Sequence, residues 1–301
     1  MTENGRAALL MTAAMGFFAI EDAFIKTLTA SMPVPQLLAM TGFCAALVFW
    51  LRLARRSRAL WTGALLHPMV VARNLGEVVG AFGFVAALAK GDLAVTSAIL
   101  QVLPLTIVMG AALFLGEAVG WRRWLSVAVG FAGVLLILRP GGAAFDPSMM
   151  WAVLGVAGLT LRDLATRRIP ANVPSDQLSA SAYGAMVPAG LALALFGGQP
   201  VVWPGGLELA LLTGTVLFGV LGYAALVAAS RLGEASVVAP FRYTRLGFAL
   251  LVAMVVFGER PDGLTLIGAA LIALAGGYAM WREGRGRRPA AVSADGLARK
   301  R

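Results

Sequence analysis

Two stretches of the sequence that lie far apart decide the fold. They are FVAALAKGDLAVTSA, residues 84–98, and LVAASRLGEASVVAP, residues 226–240, in which Gly91 and Gly233 are 142 positions apart. The same shift relates further pairs in separated parts of the chain: Asp92 and Glu234, Gly116 and Gly258, Glu117 and Glu259, Glu21 and Asp163. One constant shift over several stretches indicates two copies of one unit.

The composition is that of a protein that crosses a membrane many times. Hydrophobic residues make up 59% of 301 positions, charged residues only 13%, and the mean hydropathy is +0.81, whereas a soluble domain carries about 25% charged residues. Since a crossing helix needs about 20 apolar residues, we predict ten helices, at about 7–29, 34–51, 68–89, 93–115, 121–138, 148–169, 177–196, 206–229, 235–257 and 262–281.

The repeat and the helix count together predict an inverted architecture. Five helices in each copy is an odd number, so the second copy enters the membrane from the opposite side. We expect a first five-helix repeat at 1–138, a linker at 139–147, an inverted second repeat at 148–281 and a basic tail at 282–301. In inverted repeats a central site lies between the two halves, and rocking of the halves alternates its access.

The basic residues predict the orientation. About 17 Lys and Arg residues fall on the side of the two chain ends and 3 on the other side, which places both termini in the cytoplasm. We expect the first apolar run to be a retained helix rather than a cleaved signal peptide.

Motifs for other classes of function are missing from the sequence. The net charge of +10 is spread over short clusters between apolar runs, so we expect no nucleic-acid partner. A single cysteine, Cys44, and a single histidine, His67, exclude disulfide frameworks and His-based metal sites. No phosphate-binding GxxxxGK[ST], G-x-S-x-G or H-E-x-x-H motif occurs. We therefore predict neither an enzyme nor an ATP-driven motor, and no cofactor or metal.

Several segments resemble the drug/metabolite transporter superfamily, in its EamA-domain branch. They are ALAKGDLAVTSAIL, LFLGEAVGWRRWLSVAVGFAGVLLILRP, ASVVAPFRYTRL and VFGERPDGLTLIGAALIALAGGYAMWRE. The resemblance covers the back part of both repeats and implies ten helices, a central cavity and an alternating-access cycle. Members of this superfamily carry amino acids, S-adenosylmethionine, riboflavin or drugs. The start GFFAIEDAFIK departs from the family pattern, since the doublet Glu21-Asp22 is particular to this chain or its subgroup.

The resulting functional prediction is a multi-pass carrier of the bacterial inner membrane, monomeric or homodimeric, surrounded by lipid. Its predicted activity is export of small polar metabolites, amino acids foremost, because a mixed set of acids, arginines and amides suits a zwitterion. The alternative is an uptake carrier for S-adenosylmethionine, riboflavin or a similar nutrient. A channel or a lipid-exposed scaffold forms a third class, which predicts no occlusion of substrate.

Helix 1 carries three charges that are candidates for a substrate or gating role, because buried charges are unfavourable unless they are paired or hydrated. Asp22 and Lys26 are spaced i, i+4, in the favourable acid-before-base order, so a structural ion pair is the competing interpretation. Glu21 points to another face, and its repeat counterpart is Asp163, next to Arg162. Acids at matched positions suggest a symmetric pair, with solvation at a helix end as the alternative.

Helix 3 carries a second pair of candidates. Arg73 and Glu77 are also spaced i, i+4, with Asn74 beside them. A packed intrahelical salt bridge competes here with an inner gate. Gly76 and Gly80 form a GxxxG step that permits close contact between helices.

Helix 9 carries the most unusual charges. Arg242 and Arg245 are spaced i, i+3 and share a helical face. Like charges there need a neutralising partner, either one of the four acids or an anionic substrate group. Tyr243 corresponds to Gln101 by the shift of 142, whereas both arginines correspond to leucines. The three helix 9 residues and Gln101 are therefore candidates for substrate binding or gating.

Prolines and glutamates at helix ends have simpler explanations. Pro104 and Pro240 predict a kink in each of two helices and free backbone carbonyl groups there. Glu117 and Glu259 each follow a glycine and are expected to stabilise turns.

Overall fold

A computed structural model of the chain describes residues 2–56, 59, 61–142, 145–170, 173–232 and 238–286. Every regular element in these ranges is a helix, and they contain no strand. This is the architecture expected inside a bilayer, where each backbone polar group must be bonded within its own segment.

The helices follow one another with short connections. The first half contains α1 (Glu3–Thr29), α2 (Val34–Arg55), α3 (Pro68–Lys90), α4 (Leu93–Leu100), α5 (Leu103–Phe114) and α6 (Trp121–Leu138). The second half contains α7 (Met150–Arg167), α8 (Ser175–Phe196), α9 (Gly206–Leu232), α10 (Thr244–Val256) and α11 (Gly263–Gly286). Short 3-10 helices lie at Gly63–Leu66, Pro147–Met149 and Ala239–Tyr243.

The described helices confirm a polytopic membrane protein. Eight helical segments in the described ranges are long and apolar enough to cross a membrane, and Gly263–Ala279 adds a shorter apolar one. The predicted ninth helix is divided between the 3-10 helix Ala239–Tyr243 and α10. The predicted basic tail begins inside α11, and residues 287–301 lie outside the described part.

Two predicted helices are interrupted rather than continuous. The expected helix at 93–115 is divided at Gln101 and Val102 into α4 and α5. Pro104 explains the break, because it has no N–H for the carbonyl of Leu100, four residues earlier. In the expected helix at 235–257, Val238 is helical and is followed by the 3-10 helix Ala239–Tyr243, which has Pro240 in its first turn; residues 233–237 lie outside the described part.

The two halves are related by a pseudo-twofold axis. The repeat equates α1 with α7 and α3 with α9. The two most extensive helix contacts are α3 with α7 and α1 with α9. The equivalence turns the first of these contacts into the second. The next largest contacts, α2 with α8 and α6 with α11, are each made by two equivalent helices. Short connections make neighbouring helices antiparallel, so α1 and α7 run in opposite directions. The predicted inverted repeat is thus present in the packing.

Matched turns confirm the repeat at the level of backbone bonds. Gly116 and Gly258 have φ angles of +69° and +66°, in the left-handed region that favours glycine. The N–H of Glu117 donates to the carbonyl of Ala111 at 3.2 Å, and the N–H of Glu259 donates to that of Ala253 at 3.0 Å. Each of these pairs is 142 positions apart, so the same turn closes α5 and α10.

The predicted close contact at the GxxxG step is present between α3 and α7. A Cβ added to Gly76 would lie 2.5 Å from the backbone nitrogen of Arg162 and 2.7 Å from the carbonyl oxygen of Gly158. A Cβ added to Gly80 would lie 2.8 Å from the side chain of Leu159. Bare glycines therefore bring the backbones of the two halves together, which sets the charged side chains of α3 against those of α7.

We call the end of the bundle where α1 begins the near end, and the end where α1 finishes the far end. Because consecutive segments alternate in direction, the connections after α3, α6 and α10 lie at the far end. Those after α2, α5 and α7 lie at the near end. The ion pairs agree with this assignment: Lys26 with Glu259 and Arg139 with Asp262 join far-end segments, whereas Arg167 with Glu117 joins near-end segments.

Candidate functional site

An ion pair between α1 and α10 forms the first of two charged clusters inside the spanning segments. Asp22 accepts three hydrogen bonds from Arg245, one from Nε at 3.2 Å and two from Nη2 at 2.8 Å. The side chain of Asp22 is only 2% exposed and that of Arg245 is 26% exposed. The Arg245 guanidinium also lies over the ring of Phe18, with Cζ 5.4 Å from the ring centre. This bidentate contact neutralises one arginine with an acid from the other repeat.

This pairing rules out the Asp22–Lys26 ion pair within α1, which was one of the two interpretations of these residues. Lys26 instead points to the far end, where Nζ lies 2.6 Å from Glu259 Oε1. The spacing i, i+4 makes contact possible, but in a packed bundle a partner on a neighbouring helix offers a shorter, more buried bond. Sequence spacing within one helix contains no information about such partners.

The second cluster lies between α3 and α7. Arg162 donates from Nε to Asp163 Oδ1 at 2.7 Å and lies 3.4 Å, through Nη1, from Glu77 Oε1. Arg73 donates to the carbonyl of Leu178 at 2.9 Å, and its Nε is buried without a hydrogen-bond partner. The intrahelical Arg73–Glu77 salt bridge, one of the two interpretations of this pair, is not formed, since Glu77 is paired with Arg162 across the helix interface that the glycines bring close.

Arg162 is a central residue that the prediction did not include among the site residues. A sequence signal for it exists, because Arg162 corresponds to Ile20 in the first repeat. A charge that replaces an apolar residue of the other copy is the same signal that singled out Arg242 and Arg245.

The acids at the matched positions 21 and 163 differ in bonding. Asp163 is held by Arg162, whereas Glu21 makes no hydrogen bond or ion pair with any described residue. Glu21 packs on Gly219 of α9, where an added Cβ would lie 2.7 Å from its Oε1. The adjacent residue Asp22 already binds Arg245. The predicted symmetric pair of acids is thus a matched placement with unequal bonding, and Glu21 has no bonded counter-charge.

The two helix interruptions meet at Gln101 and Arg242. Gln101 Nε2 donates to the carbonyl of Arg242 at 3.5 Å. The hydroxyl of Tyr243, the repeat counterpart of Gln101, is buried without a hydrogen-bond partner. The side chain of Arg242 forms no hydrogen bond or ion pair with the described residues, and Arg242 is exposed. Arg242 and Arg245 were predicted to share a face, yet Arg245 is bound to Asp22 while the side chain of Arg242 is left unbonded.

Tyr183 of α8 is a further residue that was not among the predicted site residues. Its ring stacks on Phe49, with 5.8 Å between centres, and Phe49 contacts Tyr223 edge-on at 5.8 Å. A group of three aromatic rings therefore joins α2, α8 and α9.

The charges of this region balance. It contains four acids and four arginines, namely Glu21, Asp22, Glu77, Asp163, Arg73, Arg162, Arg242 and Arg245. Five of them, Asp22, Arg245, Glu77, Arg162 and Asp163, form ion pairs with one another. Arg73 donates to a backbone carbonyl but its Nε stays unbonded, whereas the side chains of Glu21 and Arg242 form no hydrogen bond or ion pair with described residues. A carboxyl group and a guanidinium group without such bonds therefore lie on opposite repeats.

Two cavities lie toward opposite ends of the bundle. A cavity of about 600 Å³ at the near end lies between α2, α8 and α9, and Arg52, Arg56, Asp176 and Tyr223 line it. A cavity of about 350 Å³ at the far end is lined by Lys26, Asp92, Thr96 and Asp146, among others. Tyr223 places the near cavity next to the rings of Phe49 and Tyr183.

The model of the EamA-like transporter family matches residues 5–139 and 146–277 of the chain. The chain belongs to the EamA-like transporter family. The two matches fall on the two structural repeats, so the resemblance first noted in the back parts of the repeats extends over both of them.

Several relatives of this EamA-like transporter are named as transporters. The chain is 34% identical over 238 residues to a riboflavin transporter of Rhizobium johnstonii, which covers 72% of the chain and 73% of that protein. It is 32% identical over 170 residues to an S-adenosylmethionine uptake transporter of Rickettsia felis, and 26% identical over 274 residues to the pseudopaline exporter CntI of Pseudomonas aeruginosa.

The extent of these matches differs. The match to the S-adenosylmethionine uptake transporter covers 56% of the chain and 57% of that relative, whereas the match to the pseudopaline exporter covers 89% and 93%. A solved crystal structure shares the fold, with a TM-score of 0.59 at 23% identity over 89% of the chain and 97% of the solved chain. The family and the names of these relatives indicate a transporter rather than an enzyme.

Proposed function

We propose that this EamA-like transporter is a secondary carrier for a small zwitterionic metabolite, an amino acid or a compound built on one. The observation that supports the proposal is that one acid, Glu21, and one base, Arg242, form no side-chain hydrogen bond or ion pair with described residues, whereas each of the other charges in this region has at least one such bond. We assign the carboxylate of Glu21 to the substrate's ammonium group and the guanidinium of Arg242 to its carboxylate.

The physical argument rests on charge compensation. A charge inside the membrane-spanning region is unfavourable by about 2.5–3.5 kcal/mol or more unless it is paired or hydrated. A zwitterion supplies one partner of each sign and adds no net charge to the region. A ligand without charge would remove water from Glu21 and Arg242 without replacing its hydrogen bonds, which disfavours binding. The other charged residues hold the two repeats in register around the ligand.

Glu21, Asp22, Arg73, Glu77, Gln101, Asp163, Arg242, Tyr243 and Arg245 thus divide into two proposed roles. Glu21 and Arg242, with Gln101 and Tyr243 beside the helix interruptions, contact the substrate. Tyr243 contributes a buried hydroxyl that lacks a partner. The remaining five, together with Arg162, join helices of the two repeats and rearrange with them.

Export of amino acids is the direction and cargo that we propose first. A relative named as a pseudopaline exporter supports export. Uptake of S-adenosylmethionine or riboflavin is the second candidate, and the names of two other relatives favour it. S-adenosylmethionine carries an amino-acid head group, so it satisfies the charge argument, whereas riboflavin lacks such a head group.

A counterflow assay in proteoliposomes tests the cargo. Vesicles are loaded with one unlabelled compound, and accumulation of the same labelled compound is followed for neutral amino acids, S-adenosylmethionine and riboflavin. We expect accumulation of compounds that carry both an ammonium and a carboxylate group. Accumulation of riboflavin alone would contradict the zwitterion proposal. Efflux from preloaded cells against entry into unloaded cells then decides between export and uptake.

We also propose that the near end faces the cytoplasm, because the basic residues of the sequence concentrate there. Ala118 and Arg260 are exposed, lie 142 positions apart in matched turns and are at opposite ends. In a Cys44→Ala background, Ala118→Cys is expected to react with an impermeant maleimide only in inverted membrane vesicles, and Arg260→Cys only in intact cells. Reaction of both from one side would contradict the topology, and the reverse pattern would contradict the orientation.

A further inference from the structure

At the far end, side chains from both repeats meet at the start of α4. Glu259 Oε1 accepts hydrogen bonds from the N–H of Leu93 at 2.8 Å and from Lys26 Nζ at 2.6 Å. Glu259 Oε2 accepts from the N–H of Ala94 at 2.9 Å, and Lys26 also donates to the carbonyl of Gly91 at 3.0 Å. The side chains of Lys26 and Glu259 are only 16% and 6% exposed. These bonds close the gap between α1, α4 and the α10–α11 connection.

The N-terminus of α4 is capped by a residue of the other repeat and not by its own N-cap residue. Asp92 occupies the N-cap position with an extended backbone, φ −76° and ψ 142°, but its side chain makes no capping hydrogen bond. Aspartate at this position normally accepts from the second or third N–H of its own helix. Here Glu259, 166 positions away in the other repeat, takes that N–H. A local cap is therefore available but unused, and a cap that joins the repeats is used instead.

The predicted role of Glu259 as a turn stabiliser is consequently too narrow. Its N–H does close the turn after α10, but its carboxylate binds a helix and a lysine of the other repeat. Asp92 is affected by this arrangement, since burial and then the negative charge of Glu259 raise the pKa of Asp92.

The repeat supplies a counterpart at the near end. The shift of 142 equates Glu259 with Glu117 and Lys26 with Arg168. Glu117 lies 3.0 Å from Arg167 Nη1, and these two side chains are 49% and 44% exposed. Arg168 donates to the carbonyl of Phe114 at 2.6 Å. Residues 233–237, which correspond to the start of α4, lie outside the described part. Among the described residues, Glu117 is paired with a solvent-exposed arginine, whereas Glu259 is buried and accepts three hydrogen bonds.

We propose that Lys26, Glu259 and the first turn of α4 form the far gate of the transport cycle, and that Glu117 with Arg167 and Arg168 forms the equivalent near gate. The inference rests on the proposed carrier function, which requires alternating access. The structure holds the far gate closed, with the larger cavity at the near end. Opening of the far gate separates Glu259 from α4, and Asp92 then caps the helix in its place.

Replacement of Glu259 by Asp92 as the cap of α4 explains how the gate opens without unfolding α4. Loss of Glu259 alone would leave the N–H groups of Leu93 and Ala94 without a hydrogen-bond partner, which is unfavourable for buried groups. Asp92 needs no change of backbone class to accept from Ala94, so the open state recovers part of this energy. The closed and open states therefore differ mainly by the ion pair with Lys26.

Access to Thr96 reports the state of the far gate. Thr96 lies in α4, is buried, and lines the far-end cavity together with Lys26. Thr96→Cys in a Cys44→Ala background is to be labelled with an impermeant methanethiosulfonate on purified protein in nanodiscs, without substrate. Labelling after unfolding in detergent confirms the total amount of thiol. Because no substrate is present, the result does not depend on the identity of the cargo.

We expect Glu259→Gln to raise the labelling rate about tenfold or more, which corresponds to loss of about 1.4 kcal/mol from the closed gate. Glu117→Gln is the matched variant and is expected to leave the rate unchanged or lower. Glu208→Gln, at the exposed start of α9, is a control for neutralisation of an acid. If Glu259→Gln does not fold, Lys26→Gln tests the same ion pair with the cap intact and is expected to raise the rate.

Two outcomes overturn the gate. An unchanged rate in folded Glu259→Gln or Lys26→Gln means that the contact is only structural. An equal rise in Glu259→Gln and Glu117→Gln means a general loosening of the bundle. In contrast, a rise with Glu259→Gln alone, in a protein that fails every counterflow assay, would retain the gate and reject the proposed cargo.

Discussion

Replacing Asp22 with asparagine is expected to destabilise the protein by about 3–5 kcal/mol, because it removes the acid that neutralises a buried arginine. Arg245 makes three hydrogen bonds to Asp22, and the Asp22 side chain is almost completely buried. An asparagine keeps the shape but leaves the guanidinium without a counter-charge. The measurement is equilibrium unfolding of the purified protein in mixed detergent micelles, followed by tryptophan fluorescence.

A double substitution separates the ion pair from simple loss of packing. Asp22→Asn with Arg245→Gln removes both charges and is expected to recover a large part of the stability lost by Asp22→Asn alone. Asp262→Asn is the matched control. It breaks the ion pair of Asp262 with Arg139, which is exposed at the far end, so the expected loss is about 1 kcal/mol or less. A loss for Asp22→Asn as small as that of the control would mean that Arg245 finds another partner and that the pair does not hold the repeats together.

Replacing the neighbouring acid, Glu21, with glutamine is expected to reduce transport and to leave the stability of the protein nearly unchanged. Stability should stay close to that of the wild type, since Glu21 has no bonded partner among the described residues to lose. Transport of a zwitterion should fall about 10- to 100-fold, because a hydrogen bond to a charged group contributes about 1.5–3 kcal/mol. Asp22→Asn and Glu21→Gln therefore form an adjacent pair of variants, one of which mainly affects unfolding and the other mainly transport.

Two results would contradict this assignment of Glu21. Unchanged counterflow in folded Glu21→Gln would mean that the carboxylate does not contact the substrate. A loss of stability comparable to that of Asp22→Asn would mean that Glu21 has a structural partner. Because glutamine has nearly the same size as glutamate, neither result is explained by packing against Gly219.

The repeat was the most informative feature of the sequence, because its two copies have matching turns and matching helix contacts in the structure. The shift of 142 predicted that α5 and α10 end in the same turn, and Gly116 and Gly258 indeed have the same left-handed conformation. Glycines 76 and 80 were likewise predictable as a contact, because a residue without a Cβ permits close approach of helices regardless of which helix approaches.

The partners of the charged residues were not predictable from spacing. Both i, i+4 pairs, Asp22 with Lys26 and Arg73 with Glu77, are replaced by bonds to other helices. An isolated helix has no alternative partner, whereas a bundle has several, and a buried charge takes the bond that best replaces water. The repeat comparison was a better guide, since Arg162, Arg242 and Arg245 all stand where the other copy has an apolar residue.

The helix interruptions were predictable in place but not in kind. Pro104 and Pro240 predicted kinks, and the structure has a break before Pro104 and a 3-10 helix that begins at Ala239. A proline removes one hydrogen bond whatever follows, but the sequence does not say whether the neighbouring turn is repaired or remains open. Here the N–H groups of Gln101 and Val102 donate to carbonyls three residues earlier, which tightens the turn before Pro104. The side chain of Gln101 then joins the two interruptions through the carbonyl of Arg242.

The central claim is that Glu21 and Arg242 bind the opposite charges of one zwitterionic substrate. Counterflow of the transported amino acid and of two analogues, one without the ammonium group and one without the carboxylate, tests it most directly in the wild type, Glu21→Gln and Arg242→Gln. We predict that Glu21→Gln abolishes the preference for the amino acid over the deaminated analogue, and that Arg242→Gln abolishes the preference over the decarboxylated analogue. Equal losses for all three compounds in both variants would contradict the claim.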